Sequence, residues 1–136
     1  PLTSILADVE KITLKEYTEA CLMNIRKILK GIIRNHEKFV PVNYLSLLAD
    51  GFRHYDEFAK RTMRLMAEDT QKAKMVIENA IKNGEIRSDI DVDTVAAQFF
   101  SLSIGMAGDI MRDSSVESAL ESLKGQLNQL YYLLKK

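Results

Sequence analysis

The sequence predicts an all-α domain, an orthogonal or antiparallel bundle of five to six helices. Three observations carry this. The 136 residues contain only 2 Pro and 6 Gly, too few for the many tight turns of a sheet protein. Apolar residues recur at steps of three and four through each long segment between breakers. Residues that start and stop helices stand at the boundaries those steps define. The length suits one domain, residues 1–136, which at this size buries about two thirds of its unfolded surface.

The elements follow in order. Leu2, Ile5, Leu6 and Val9 have helical spacing over a short stretch. Thr13-Leu14-Lys15-Glu16 then matches a capping box. Behind it, Leu14, Tyr17, Cys21, Ile25, Ile28 and Ile32 line one face of a helix that ends near Asn35. Leu22, Leu29 and Ile33 widen the stripe, which implies packing on two sides. Pro41 suits the first turn of a short helix, and Asp50-Gly51 is expected to end it. From Arg53 a long helix runs in phase through Tyr55, Phe58, Thr62, Leu65, Met66, Ala73, Val76, Ala80 and Ile81 to Asn83. Such a rod is about 45 Å long. Gly84 stands where a left-handed cap is expected.

Residues 94–112 form the next helix, apolar nearly all round and therefore expected to be the most buried. Ala97, Ser101, Gly105 and Gly108 put small side chains along one line, which lets another helix approach closely. Ser114-Ser115-Val116-Glu117 reads as a second capping box. Val116, Leu120, Leu123, Leu127, Leu130 and Leu134 then form a seam of alternating four- and three-residue steps, flanked at its end by Tyr131 and Tyr132. The seam serves either the domain's own core or contact with another molecule.

Charge narrows the function. With 19 basic and 19 acidic residues the net charge is zero, unlike the basic stripe of a nucleic-acid module. Residues 24–38 are locally basic and residues 85–121 locally acidic, a pattern that solvated helix faces also give. A single cysteine excludes an internal disulfide framework and fits a reducing, cytoplasmic setting. No apolar run approaches the ~20 residues of a membrane helix.

Motifs for chemistry fail on inspection. The stretch "SDIDVDT", residues 88–94, alternates acids as a calcium loop does. Its sixth position from Asp89 is Thr94 in place of Gly, and its twelfth is Phe100 in place of Glu. Its acids belong instead to a helix start: Asp91 as the N-cap, Asp93 in the first turn and Asp89 beside Arg87. The two histidines, His36 and His54, follow Ile33 and Gly51 by three residues, so no Glu-x-x-His pair exists. Two separate histidines and one Cys make no zinc set, and Cys21 reads as a small core residue. No metal, no cofactor and no catalytic residue is expected. Aromatic and sulfur side chains, among them Tyr17, Cys21, Phe39, Phe52, Tyr55, Phe58, Met63, Met66, Phe99, Phe100, Met106 and Met111, serve either as plain core or as the walls of a ligand pocket.

The stretch "AIKNGEIRSDIDVDTVAAQFFSLSIGM", residues 80–106, resembles the C-terminal regulatory domain of TetR-family transcriptional regulators. The resemblance lies in the Gly84-Glu85-Ile86-Arg87 turn, then Asp89, Asp91 and Asp93, then a helix with Ala96, Ala97 and Gly105. It implies a domain that binds a small, often apolar effector among the helices at 14–34, 53–83 and 94–112. Candidate pocket residues on that basis are Tyr17, Cys21, Tyr55, Phe58, Met63 and Phe99. It also implies a homodimer through the last two helices, with Val95, Phe99, Leu102, Leu120, Leu123, Leu127, Leu130 and Leu134 at the interface. The family's N-terminal helix-turn-helix is absent from this chain. The start at Pro1 and the neutral charge are expected to reflect its removal, leaving DNA binding to the parent protein. The rival reading is a helical protein–protein interaction module with no small-molecule ligand.

Overall fold

The computed structural model describes residues 11–35, 41–113 and 115–136. The segment at residues 2–9 lies outside them, as do His36, Phe39, Ser114 and the side chains of Ile32, Ile33 and Met111. Five helices make up the described fold: α1, Leu14–Asn35; α2, Pro41–His54; α3, Asp56–Lys82; α4, Val92–Asp113; and α5, Val116–Leu134. The all-α bundle is as expected. α4 and α5 form a hairpin with the most extensive contact, α3 lies against α4, and α1 packs on both α5 and α3. α2 rests on α3 and α4.

The local start and stop signals act as their chemistry requires. The Thr13 hydroxyl accepts the Glu16 N–H at 3.0 Å and donates to the Glu16 carboxylate at 2.9 Å. At the end of α3, Gly84 sits at φ 74°, in the left-handed region. The Glu85 N–H reaches the Ala80 carbonyl at 2.9 Å and the Gly84 N–H reaches Ile81 at 3.1 Å, the paired bonds of a Schellman cap. Asp91 caps α4, its carboxylate accepting the Thr94 N–H at 2.8 Å. Arg87 grips Asp89 through two bonds of 2.6 and 2.7 Å.

The turn at 84–87 also joins three elements. The Glu85 carboxylate accepts the Leu14 and Lys15 N–H groups at 2.9 and 3.2 Å, adding a second cap to α1. It also accepts the Tyr131 hydroxyl at 2.9 Å. Burial, and then this carboxylate, push the Tyr131 phenol up to about 12. Ile86 is buried at 1% exposure and bridges to Lys135 as an isolated β-bridge. The Arg87 N–H bonds the Leu134 carbonyl at 2.8 Å, and the Lys136 N–H bonds Glu85 at 3.2 Å. Leu14, Val76, Ile77, Ala80, Val95 and Leu123 close the core around this turn.

Five expectations need correction. Asp50-Gly51 does not end α2, which continues to His54. The missing Cβ of Gly51 instead makes room for the Phe58 ring, whose Cδ1 and Cε1 would lie 3.1 Å from one. The chain breaks at Tyr55, which is extended at φ −127°, and α3 begins one residue later. The first half of α3 is not a buried face: Tyr55, Met63 and Leu65 are exposed, and burial begins at Ala73. α4 is not the most buried helix, because Ile104 and the line of Ala97, Ser101, Gly105 and Gly108 face outward. No neighbouring atom lies within 4 Å of where a Cβ on Gly105 or Gly108 would stand. The cap of α5 is Ser115, accepting the Ser118 N–H at 3.2 Å, while Glu117 reaches across to Arg26.

Candidate functional site

A cavity of about 230 Å³ lies between α1, α3 and α4, floored by Leu127 of α5. α1 contributes Tyr17, Thr18, Cys21, Asn24 and Ile25 at helical steps, so one face of the helix forms one wall. α3 contributes Asp69, Thr70 and Ala73. α4 contributes Ala96, Phe99, Phe100 and Ser103. The space exists because Ala73, Ala96 and Ser103 are short where their helices face one another.

Most wall hydroxyls are satisfied by their own helices. Thr18 donates to the Lys15 carbonyl at 2.8 Å, Thr70 to Met66 at 2.9 Å and Ser103 to Phe99 at 3.2 Å. Tyr17 and Cys21 stand one helical turn apart on the same wall. Burial pushes the Tyr17 phenol well above its ordinary range and the Cys21 thiol up to about 11. A thiol at that value stays protonated at neutral pH and is a poor nucleophile. Burial also raises the Asp69 carboxyl above its usual range. The site is thus an open, mainly apolar cleft with a neutral phenol and thiol on one wall and the exposed Asp69 on another.

Of the six candidate pocket residues, Tyr17, Cys21 and Phe99 line this cavity. Tyr55, Phe58 and Met63 do not. They sit at the far end of α3, with Tyr55 and Met63 exposed at 69% and 64% and Phe58 packed edge-to-face on Phe52 at 5.5 Å. Sequence reasoning did not single out Asp69, Thr70 or Ser103. It placed Leu127 only in the leucine seam.

The residues named for a dimer interface take other places. Val95, Phe99, Leu120, Leu123, Leu127 and Leu134 are buried within the chain itself. Leu102 and Leu130 are half-buried against the same core. The seam faces inward under α4 and α1, and of these side chains only Leu102 and Leu130 keep part of their surface exposed. The outward faces of α4 and α5 hold Ile104, the small-residue line and Leu133.

The locally basic and acidic runs meet across α1 and α5: Arg26 lies 3.5 Å from Glu117 and 3.9 Å from Glu121, and Lys30 lies 4.0 Å from Glu117. Lys74 holds Asp93 at 2.6 Å, linking α3 to the start of α4. A second, more polar cavity of about 470 Å³ lies between α1 and α5 beside Lys15, Lys124 and Tyr132. Among the described residues, no cluster of three or more His, Cys, Asp or Glu could hold a metal ion. No described helix is long and apolar enough to cross a membrane. Set against known family models, curated proteins and solved structures, the chain shows no significant match.

Proposed function

We propose that the chain is the effector-binding and dimerisation domain of a TetR-like, cytoplasmic transcriptional regulator, non-enzymatic, with DNA read by a helix-turn-helix outside these 136 residues. One observation carries the reading: the cavity lies among the three helices that the resemblance nominates for an effector, and its walls are mainly apolar. A ligand there touches α1, α3 and α4 together. It regulates DNA binding only if its affinity differs between two arrangements of those helices. Homodimerisation falls to the outward faces of α4 and α5, where Gly105 and Gly108 allow close helix approach. Sedimentation velocity at micromolar concentration checks the pairing, and a monomer rejects it.

The test of the pocket is a thermal-shift screen with small apolar metabolites on the chain and on Ser103→Phe. A ligand at a hundred times its Kd stabilises the folded chain by about 2.7 kcal/mol. The phenyl group of the variant fills the cavity, so the shift disappears while the fold persists. A shift that survives in Ser103→Phe places the ligand elsewhere.

A helical interaction module is the second reading, and one observation favours it. Phe52, Tyr55, Phe58, Met63 and Leu65 are all exposed along α2 and the first half of α3. A partner helix would cover such a strip. Under that reading the screen finds no ligand, and Met63→Asp abolishes partner binding.

A further inference from the structure

We infer that the cavity takes a small monocationic ligand, an aromatic or short branched apolar body bearing one amine whose charge sits at Asp69. This rests on the effector-binding reading and specifies the chemical class of the effector. The cavity walls carry one carboxylate, Asp69, and no Lys, Arg or His. An anionic ligand would therefore meet repulsion there with no basic wall residue to offset it. Asp69 is exposed at the edge of the cavity, so a neutral apolar ligand covers part of its hydration and returns no hydrogen bond. A ligand ammonium both replaces that water and pairs the charge.

The surroundings of Asp69 agree. Among the described residues it forms no ion pair and no hydrogen bond. Lys72 on the same helix is the stronger charge influence on it and Glu68 opposes that more weakly, but Lys72 forms no ion pair with it and lies outside the cavity walls. Three aromatic rings, Tyr17, Phe99 and Phe100, line the same space, and aromatic faces attract cations. The volume of about 230 Å³ is below the roughly 300–1,000 Å³ of drug-sized sites. One ring with a short amine arm is therefore the scale of ligand expected.

Isothermal titration of the whole chain with three matched probes tests the inference: 2-phenylethylammonium, 2-phenylethanol and phenylacetate. The cation is expected to bind about tenfold tighter than the alcohol, with phenylacetate weakest. Asp69→Asn, a change on a solvent-facing helix position, should bring the cation to the level of the alcohol and leave the alcohol unchanged. An alcohol that equals the cation, or a preference that survives Asp69→Asn, overturns the charge assignment and leaves the cavity reading intact. Failure of all three probes to bind overturns both.

Discussion

The two ends of α3 differ in kind. Its second half, from Ala73 to Ala80, is sealed against α1, α4 and α5, with Val76 and Ile77 at 0% exposure. Its first half, with α2, leaves Tyr55, Met63 and Leu65 in solvent and makes its main aromatic contact with Phe52. The sealed half ends in the 84–87 turn, where backbone and side chains of three elements are bonded together. The open half begins at a single extended residue, Tyr55, whose side chain makes no cap. One continuous helix thus connects a fixed region to a loosely packed one, and the cavity lies between them at Asp69 and Ala73. The rigidity that positions Tyr17 and Phe99 comes from the sealed end.

That contrast can be broken by truncating each half in turn. Leu123→Ala in the sealed region should cost about 2–5 kcal/mol in urea denaturation. Met63→Ala in the open region should cost less than about 0.5 kcal/mol. Similar costs at the two sites would erase the distinction. A smaller effect is expected at the joint. Glu85→Gln keeps the shape but removes the charge that accepts the Leu14, Lys15 and Tyr131 donors, at about 1–2 kcal/mol. Amide exchange should quicken in the first turn of α1, and unchanged exchange there would show that Thr13 suffices as the cap.

The smallest effect concerns pH. The Thr94 N–H holds the Asp91 carboxyl below the usual carboxylate range, and Arg87 does the same for Asp89. A group whose folded pKa is depressed contributes stability above its unfolded pKa and loses it as pH falls through the folded one. The loss therefore lies below about pH 4. Asp91→Asn retains a capping side chain but no titration, so the acid limb of its stability curve should be shallower. An acid limb of the original slope would remove Asp91 from the account.

Features that depend on neighbours in sequence were legible. The Thr13 cap, the Gly84 cap and the Asp91 start of α4 each rest on residues within four positions of one another. Features that depend on distant partners were not. The break at Tyr55 lies where Phe58 packs against Gly51 and Phe52, a contact that apolar spacing does not register. The orientation of α4 was ambiguous because a helix apolar on all sides has no marked inner face. The seam from Val116 to Leu134 has the same spacing whether it meets its own domain or a second copy. The cavity owes its existence to what Ala73, Ala96 and Ser103 lack, and a missing side chain leaves no periodic signal. Tyr17, Cys21 and Phe99 were found because large side chains on the right helices do leave one.

The bond from the Leu14 N–H to Glu85 spans 71 residues of sequence. Closing a loop of that length costs more chain entropy than the nearby contacts of the α3–α4–α5 region. The last three helices therefore have the means to assemble on local contacts, with α1 joining once Glu85 is in place to receive it. Since α1 brings Tyr17, Cys21 and Ile25, the chamber has no fourth wall until that late step. Any molecule held inside it stabilises α1 against the other helices, so occupancy and completion of the fold are reached together.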